Sequence, residues 1–401
     1  MFNKSSKSYL HIVQTVLFQL LNVGFIFILA AKLSVEEMAV YGVAKSLLAF
    51  IEYSHLGTRF GLDIILPLST YERSFRYTTG VLNITFFINV LLCLFFGLYY
   101  SNIFIILFLI SSPFYNIYNI NRLSNRAIGN TPLFIKQSIL LNYVPVLLQI
   151  LSLLIIGFNG ISIALIISYS ALLFFSKKET NFICFRKINF SDILYLHKKG
   201  MPFLVSNLSF IAVTVLDRIF IERYAGDTIA GYYTFVFIFL SFLLVIPNAI
   251  TELMMSKVFE AIGNKKILYN LFKQSFLVIF FIGIISCLFV FFITDFIVEL
   301  FFVKYVAITS TLKLGLLYVV PASLISVFQY ILIANKKKKN IIIINIITFL
   351  FFYILLFILF KFSVNFSLEE FIWLRIIHIW LFLIFLAWFL YKSLYKYEYS
   401  T

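Results

Sequence analysis

The sequence is poor in charged residues and in cysteine. Lys, Arg, Asp and Glu make up only 12% of its 401 residues, whereas a soluble domain carries roughly a quarter. This composition excludes an ordinary soluble domain. The three cysteines, Cys93, Cys184 and Cys287, lie far apart in the chain. Their spacing matches neither a metal site nor a disulfide framework, so we expect neither.

Signatures of an enzyme are also missing. The four histidines, His11, His55, His197 and His378, are scattered singly and form no catalytic or metal-binding constellation. The sequence has no Gly-rich loop with a phosphate-binding lysine. A membrane-embedded glycan polymerase or acyltransferase would need a large outer loop or a histidine-based site, and the predicted outer connections are too short. We therefore predict that the protein is not an enzyme and needs no cofactor.

Long hydrophobic runs fill the chain instead. Hydrophobic residues make up 62% of the sequence, and apolar stretches of about 20 residues, each long enough to cross a bilayer as a helix, recur along it. We predict an all-α polytopic membrane protein. Its twelve predicted spans are 11–31, 38–57, 79–99, 102–120, 138–157, 159–176, 200–221, 229–250, 275–294, 312–333, 341–360 and 371–391.

The basic residues are distributed unevenly between the two sides of the predicted membrane. About three quarters of the 32 Lys and Arg residues fall on the side of the N-terminus, and the positive-inside rule makes that side cytoplasmic. Both termini are therefore predicted to be cytoplasmic. The net charge of +15 is then a topology signal, and we expect no nucleic-acid partner. The run KKKK at 336–339 is expected to contact anionic membrane lipids.

Two weak internal echoes indicate a repeat. The first hairpin carries KLSVEEMAVYGVAKSLLAF (32–50), and spans seven and eight carry YAGDTIAGYYTFVFIFLSF (224–242), with an acid, an alanine and a tyrosine at the same spacing. The cytoplasmic turns 125–137 and 331–340 form the second echo. Six spans per half predict two six-helix bundles related by a pseudo-two-fold axis along the membrane normal. The predicted division is 1–176 for the N-terminal bundle, 177–199 for a cytoplasmic connecting segment, 200–391 for the C-terminal bundle and 392–401 for a cytoplasmic tail.

Polar residues of the second span share one helical face. At about 100° per residue, and if the helix continues past Gly57, one arc holds Tyr41, Lys45, Glu52, His55, Arg59 and Asp63. Ionisable groups in hydrocarbon are costly unless they face partners or water, so this face points to the protein interior. Two interpretations stay open, a solvated central cavity and a buried network of ion pairs. The depth of Glu52 suits a carboxylate that binds a proton or a cation.

The seventh span ends in a second pair of charges. Asp217 and Arg218 are neighbours in the sequence, so they point about 100° apart and cannot pair across one helical turn. Asp217 must find its partner on another helix, where it would fix the geometry of the bundle. Arg218 either snorkels to the outer interface or contributes to a cationic cavity. In the last span, Arg375 and His378 lie on one face.

Together these features resemble a known family. Twelve spans with cytoplasmic termini, a basic connection after span six and short outer loops are similar to the polysaccharide-exporter flippases, the Wzx-type O-antigen translocases. The stretches LDRIFIERYAGDTIAGYYTF and LSVEEMAVYGVAKSLLAF carry the same resemblance. That family belongs to a superfamily shared with the MATE drug antiporters and the lipid II flippases.

The resemblance implies a flippase in the bacterial cytoplasmic (inner) membrane. Its substrate would be an undecaprenyl-pyrophosphate-linked oligosaccharide, moved from the cytoplasmic to the periplasmic leaflet by alternating access, with a glycan polymerase and glycosyltransferases as further partners. Cationic side chains would attract the pyrophosphate or acidic sugars. These candidates are Lys45, Arg59, Arg218 and Arg375, and the candidate ion-coupling or structural carboxylates are Glu52, Asp63 and Asp217.

Resemblance to the antiporters implies coupling to protons or sodium. The alternative is a MATE-type drug or cation antiporter, whose site should be apolar and acidic, and the buried cations argue against it. A lipid II flippase is a second alternative, but the sequence lacks that family's denser run of cationic cavity residues.

Overall fold

The computed structural model describes residues 2–175, 189–261, 264–335, 337–362 and 366–394. Residues 177–188 of the predicted connecting segment and 395–401 of the predicted tail lie outside these ranges. Within them the chain is almost entirely α-helical and contains no β-strand. The all-α prediction is confirmed.

Helix length and composition agree with the predicted spans. Nine helical stretches in the described part of the chain are long and apolar enough to cross a membrane, and ten if the bent pair Asp227–Leu243 and Val245–Thr251 forms one span. Helices α1 (Phe2–Lys32) and α2 (Val35–Ile51) correspond to the other two predicted spans. Exposed phenylalanines along the ninth span, including Phe281, Phe289 and Phe292, fit a surface that faces lipid.

Contacts within the chain define two compact units. One comprises Met1–Ala39 and Phe220–Thr401, and the other comprises Val40–Ile219. Relative to the predicted bundles 1–176 and 200–391, these units exchange the first span and most of the seventh. The predicted division of the chain into two six-span halves, on either side of 177–199, remains a prediction.

The Val40–Ile219 unit contains most of α2 and seven further complete helices. After a 3-10 turn at Glu52–His55, the chain continues through α3 (Thr58–Ile65), α4 (Tyr71–Tyr100), α5 (Ile103–Ile110), α6 (Ser112–Ala127), α7 (Thr131–Ile156), α8 (Phe158–Phe175) and α9 (Phe190–Thr214). The unit ends inside α10 (Asp217–Ala225). Asn102 begins α5, and its side-chain oxygen accepts hydrogen bonds from the backbone N–H groups of Phe104 and Ile105 at 2.9 and 3.3 Å.

The second unit joins α1 to the C-terminal helices. These are α11 (Asp227–Leu243), α12 (Val245–Glu260), α13 (Lys265–Phe301), α14 (Thr309–Gly315), α15 (Val319–Ala334), α16 (Lys338–Phe362) and α17 (Leu368–Leu394). Reciprocal capping boxes start α2 and α17: Ser34 exchanges hydrogen bonds with Glu37, and Ser367 exchanges them with Glu370. The Lys304 ammonium donates to the Leu33 carbonyl just after the end of α1.

Glycines allow α3 and α9 to touch backbone to backbone. A Cβ added to Gly200 would overlap the carbonyl oxygen of Gly57, and one added to Gly61 would overlap the carbonyl of Leu196. Two helices can approach this closely only where side chains are absent at the crossing, as in the small-residue contacts of membrane helices. The start of the predicted seventh span is thereby fixed against the end of the second span.

Candidate functional site

The second span is broken at the centre of its polar face. Leu56 and Gly57 adopt left-handed conformations with φ of 44° and 81°, and α3 starts only at Thr58. Side chains bind the free backbone groups there. The His55 Nδ1 accepts the Gly57 N–H at 3.0 Å, and the His197 ring nitrogen lies 2.6 Å from the Leu56 carbonyl oxygen. The pattern of polar residues predicts one continuous helix through Asp63. This prediction is wrong beyond His55, because the chain turns at Leu56.

Glu52 still meets Arg59 across this break. The Arg59 Nη1 lies 3.8 Å from Glu52 Oε1, and the Asn119 side-chain amide donates to the same oxygen at 3.0 Å. Arg122 in turn donates to the side-chain oxygen Oδ1 of Asn119 at 2.8 Å and to the Ser138 hydroxyl at 3.0 Å. One carboxylate is thus held beside two guanidinium groups. We refer to Glu52, Arg59, Asn119 and Arg122 as the Glu52 cluster.

Asn119 and Arg122 were not singled out from the sequence. Both lie on α6, in the run NIYNINRLSNR at 116–126. Three of its four asparagines, Asn116, Asn119 and Asn121, are buried although they follow an apolar stretch. The sequence signal that could have identified them is this cluster of polar residues in and next to a predicted membrane span. Asp63, which the sequence grouped with Glu52, instead pairs with the exposed Arg126 at 3.2 Å. It does not belong to the Glu52 cluster.

A second cluster forms where the seventh span breaks. Helix α9 ends at Thr214, and α10 begins at Asp217. The Ser46 hydroxyl of α2 lies 2.7 Å from the Val215 carbonyl oxygen, which the break leaves without its helical partner. The Asp217 carboxylate is 2% exposed and accepts the Arg218 backbone N–H at 2.9 Å, as an acid at a helix start commonly does.

Lys45 faces this break. It is exposed, although Ala44, Ser46 and Leu47 beside it are buried. Its ammonium lies 5.9 Å from the Tyr41 ring centre, and Arg218 is close enough for its charge to act on Lys45. The Nε of Arg218 is buried and has no hydrogen-bond partner in the described part of the chain. Two of the four predicted substrate-binding cations therefore lie within electrostatic range of each other, and we call them the Lys45–Arg218 pair.

Arg375 belongs to the other unit and lies in an aromatic cage. Its side chain is 2% exposed, and its guanidinium carbon lies 5.2 Å from the Phe237 ring, 5.6 Å from the Tyr318 ring and 6.0 Å from the Phe352 ring. Such contacts stabilise a buried cation. His378 packs beside Phe352, and neither of its ring nitrogens has a hydrogen-bond partner among the described residues. Arg375 is thus sealed from solvent in this conformation.

Among the residues that the structure describes, no three His, Cys, Asp or Glu side chains converge as metal ligands would. The polar groups that do converge are guanidinium, ammonium, amide and hydroxyl donors around few carboxylates. Such an arrangement is suited to binding an anion.

Comparison with known proteins shows the fold. No family model matches the sequence, and no curated protein matches it. Among solved structures, the lipid II flippase MurJ in an inward closed conformation is 18% identical, with a TM-score of 0.74, covering 95% of this chain and 87% of that one. The MATE multidrug transporter DinF-BH is 18% identical, with a TM-score of 0.66, covering 97% and 94%. An outward-facing MATE family transporter of the MOP superfamily is 14% identical, with a TM-score of 0.60, covering 98% and 97%.

The chain therefore shares the fold of these solved structures, an all-α arrangement of membrane helices in two bundles. The predicted fold class is confirmed. At these identities the likeness extends to the fold alone, and the choice between a flippase and an antiporter depends on the residues of this chain.

Proposed function

We propose that the protein is a flippase for a polyprenyl-pyrophosphate-linked oligosaccharide, such as an O-antigen or other surface-polysaccharide repeat unit. It would move the lipid-linked glycan from the cytoplasmic to the periplasmic leaflet of the bacterial inner membrane by alternating access, with both termini in the cytoplasm. The lipid tail would remain in the bilayer while the polar head crosses. The single observation that carries this proposal is the Lys45–Arg218 pair.

Two cations held near each other repel, so each raises the free energy of the other's charged form. An anion that binds both removes this cost. A pyrophosphate carries more than one negative charge and several acceptor oxygens, and the unpartnered Arg218 Nε offers it a donor. The exposed Lys45 side chain favours the interpretation in which this face lines a solvated cavity.

The remaining candidates take supporting roles in the proposal. Arg59 contacts the substrate only in a conformation that parts it from Glu52, and Arg375 only when its aromatic cage opens. Glu52 is the proposed site of proton or sodium coupling, since its side chain is 28% exposed. Asp217 holds the start of α10, and Asp63 forms an outlying ion pair with a structural role.

A MATE-type antiporter is the competing function, and the names of two structural neighbours favour it. A site for cationic drugs needs a carboxylate whose negative charge is not already neutralised by neighbouring cations. Glu52 is instead shared between Arg59 and the amide of Asn119, with Arg122 beyond. The positive excess of this unit's polar interior therefore favours an anionic substrate.

Gene deletion in the source strain tests the proposal. We expect surface glycan to be lost while labelled polyprenyl-linked oligosaccharide accumulates facing the cytoplasm. Wild type should restore export, Lys45→Ala and Arg218→Ala should reduce it by about tenfold or more, and Lys45→Arg should retain most of it. Lys361→Ala, at the end of α16, is the matched control and should export normally.

The antiporter makes the opposite prediction. Normal surface glycan in the deletion strain, together with a changed sensitivity to cationic drugs, would overturn the flippase proposal. Export at the wild-type level by both alanine variants would show that the Lys45–Arg218 pair does not bind the substrate.

A further inference from the structure

A large cavity lies in the Val40–Ile219 unit, where the first turns of α4 meet the start of α9. Its volume is about 890 Å³, and it includes none of the residues of the Glu52 cluster or the Lys45–Arg218 pair. The positive-inside prediction places this end of the unit at the cytoplasmic surface. The cavity is lined by Thr70, Tyr71, Glu72, Arg73, Phe75, Arg76, Tyr77, Thr79, Gly80, Asn83, Asn189, Asp192 and Ile193.

The charges that line this cavity balance. The lining includes two carboxylates, Glu72 and Asp192, and two guanidinium groups, Arg73 and Arg76. The Arg76 Nε lies 2.8 Å from Asp192 Oδ2. A phosphate would have to compete with carboxylates that are already in place. The lining therefore favours a ligand without net charge that can both donate and accept hydrogen bonds, because paired Arg and Asp side chains keep unused donors and lone pairs.

The floor of the cavity is polar and buried. Thr79 and Asn83, one turn apart on α4, are 4% and 8% exposed. The Thr79 hydroxyl has no hydrogen-bond partner among the described residues. A buried hydroxyl without a partner costs free energy, and a ligand hydroxyl that reached the floor would remove that cost.

Aromatic rings complete the lining. Tyr71, Phe75 and Tyr77 belong to it, and the Arg76 guanidinium lies 5.6 Å from the centre of the Tyr77 ring. Sugar rings present flat C–H faces that pack against aromatic rings, while their hydroxyls bind planar amide, carboxylate and guanidinium groups. Apolar walls with a few convergent polar groups are the usual form of a small-molecule site.

We propose that this cavity, with its buried Thr79 hydroxyl, balanced Arg–Asp pair and aromatic wall, binds the neutral oligosaccharide portion of the lipid-linked substrate on the cytoplasmic side. The inference rests on the proposed function for the identity of the glycan. It adds a sugar-recognition site apart from the Lys45–Arg218 pair, which would bind the pyrophosphate. Glycan specificity would then be set at the α4–α9 cavity.

Binding of two probes to the purified full-length protein tests the inference. One probe is the strain's lipid-linked oligosaccharide, and the other is the oligosaccharide released from it by mild acid, without lipid or phosphate. We expect both to bind to wild type. Tyr77→Ala and Thr79→Val should weaken binding of the released oligosaccharide by about fivefold or more.

The controls keep the same chemistry outside the cavity. Thr85→Val removes another buried, unpartnered hydroxyl of α4, and Tyr99→Ala removes an exposed tyrosine near its far end. Both should bind like wild type. Valine has nearly the same shape as threonine, so we expect Thr79→Val to fold. Thermal unfolding of Thr79→Val and of Thr85→Val checks this.

Failure of the inference and failure of the proposed function differ. Binding of the lipid-linked probe but not of the released oligosaccharide would overturn the sugar site and leave the flippase intact. Wild-type binding by both cavity variants would also overturn it. Binding of neither probe, with normal surface glycan in the deletion strain, would remove both proposals.

Discussion

At the scale of single residues, the distribution of charge matters more than its amount. Glu52 is the carboxylate of a cluster that holds two guanidinium groups, and Asn119 connects them by accepting from Arg122 and donating to Glu52. Removing one member of a partly buried ion pair leaves the other charge without compensation, which is usually worse than removing both. The Glu52 cluster should therefore respond non-additively to substitution.

We predict that Glu52→Gln lowers stability and that Arg59→Gln restores part of the loss. The single variant should cost about 1–3 kcal/mol of unfolding free energy, because two guanidinium groups lose their anion. The double variant should be more stable than Glu52→Gln alone. Thermal unfolding in detergent measures both.

Asp63→Asn is the matched control for that cycle. Its partner Arg126 is half exposed, and exposed pairs contribute little, about 0–1 kcal/mol. Strictly additive effects of Glu52→Gln and Arg59→Gln would show that the two side chains do not interact as the 3.8 Å distance indicates.

At the scale of helices, the two broken spans define the site. Glu52 lies beside one break and Arg218 beside the other, and the carbonyl groups freed there bind His197 and Ser46. The close contact of α3 with α9 depends on having no side chain at Gly61 and Gly200.

We predict that Gly200→Ala and Gly61→Ala are each destabilising by about 3 kcal/mol or more, above the usual cost of overpacking, because the added methyl group meets backbone that cannot rotate away. Gly24→Ala is the control. Its Cβ would meet nothing within 4 Å, so it should be neutral or stabilise by about 0.5–1 kcal/mol. The readout is the fraction of protein that stays monodisperse after heating. Equal behaviour of all three variants would contradict the packing.

The same elements mark how far sequence reasoning could reach. Hydrophobic length predicted the nine or ten helical stretches of the described chain that are long and apolar enough to cross a membrane, since spanning a bilayer is a local requirement of composition. Gly57 was a visible reason to doubt a continuous second span, but Leu56 was not, because leucine rarely adopts a left-handed conformation. The break at Val215 has neither glycine nor proline to signal it. Lys45 and Glu52 could be identified because the free-energy cost of a charged side chain in hydrocarbon depends on that residue alone. The Asn119 contact depends on tertiary packing, so the sequence did not reveal it.

At the scale of the whole molecule, orientation across the membrane is the main prediction that depends on charge alone. The cytoplasmic assignment of both termini follows from the basic residues, and the location of the α4–α9 cavity depends on it. Short exposed connections on each side give a direct test. Asn130 precedes α7, and the exposed Asn159 lies in the first turn of α8, next to the connection at Gly157.

We predict opposite labelling of cysteines at these two positions in a background without Cys93, Cys184 and Cys287. In intact cells lacking a permeable outer barrier, a membrane-impermeant thiol reagent should modify Asn159→Cys. It should modify Asn130→Cys only after the membrane is opened. Reversed labelling would place the termini outside and would move the proposed sugar site to the opposite leaflet.

The contact between Leu56 and His197 also constrains how the protein is made. The two residues are 141 positions apart, and chains are synthesised at about 5–20 residues per second, so α3 waits for roughly 7–30 s before its partner helix leaves the ribosome. During that interval a short helix that carries Arg59 and Asp63 has no α9 against which to pack. A chain that is truncated before residue 190 and released should therefore be a preferred substrate of membrane proteases, whereas a released chain that includes all of α9 should survive.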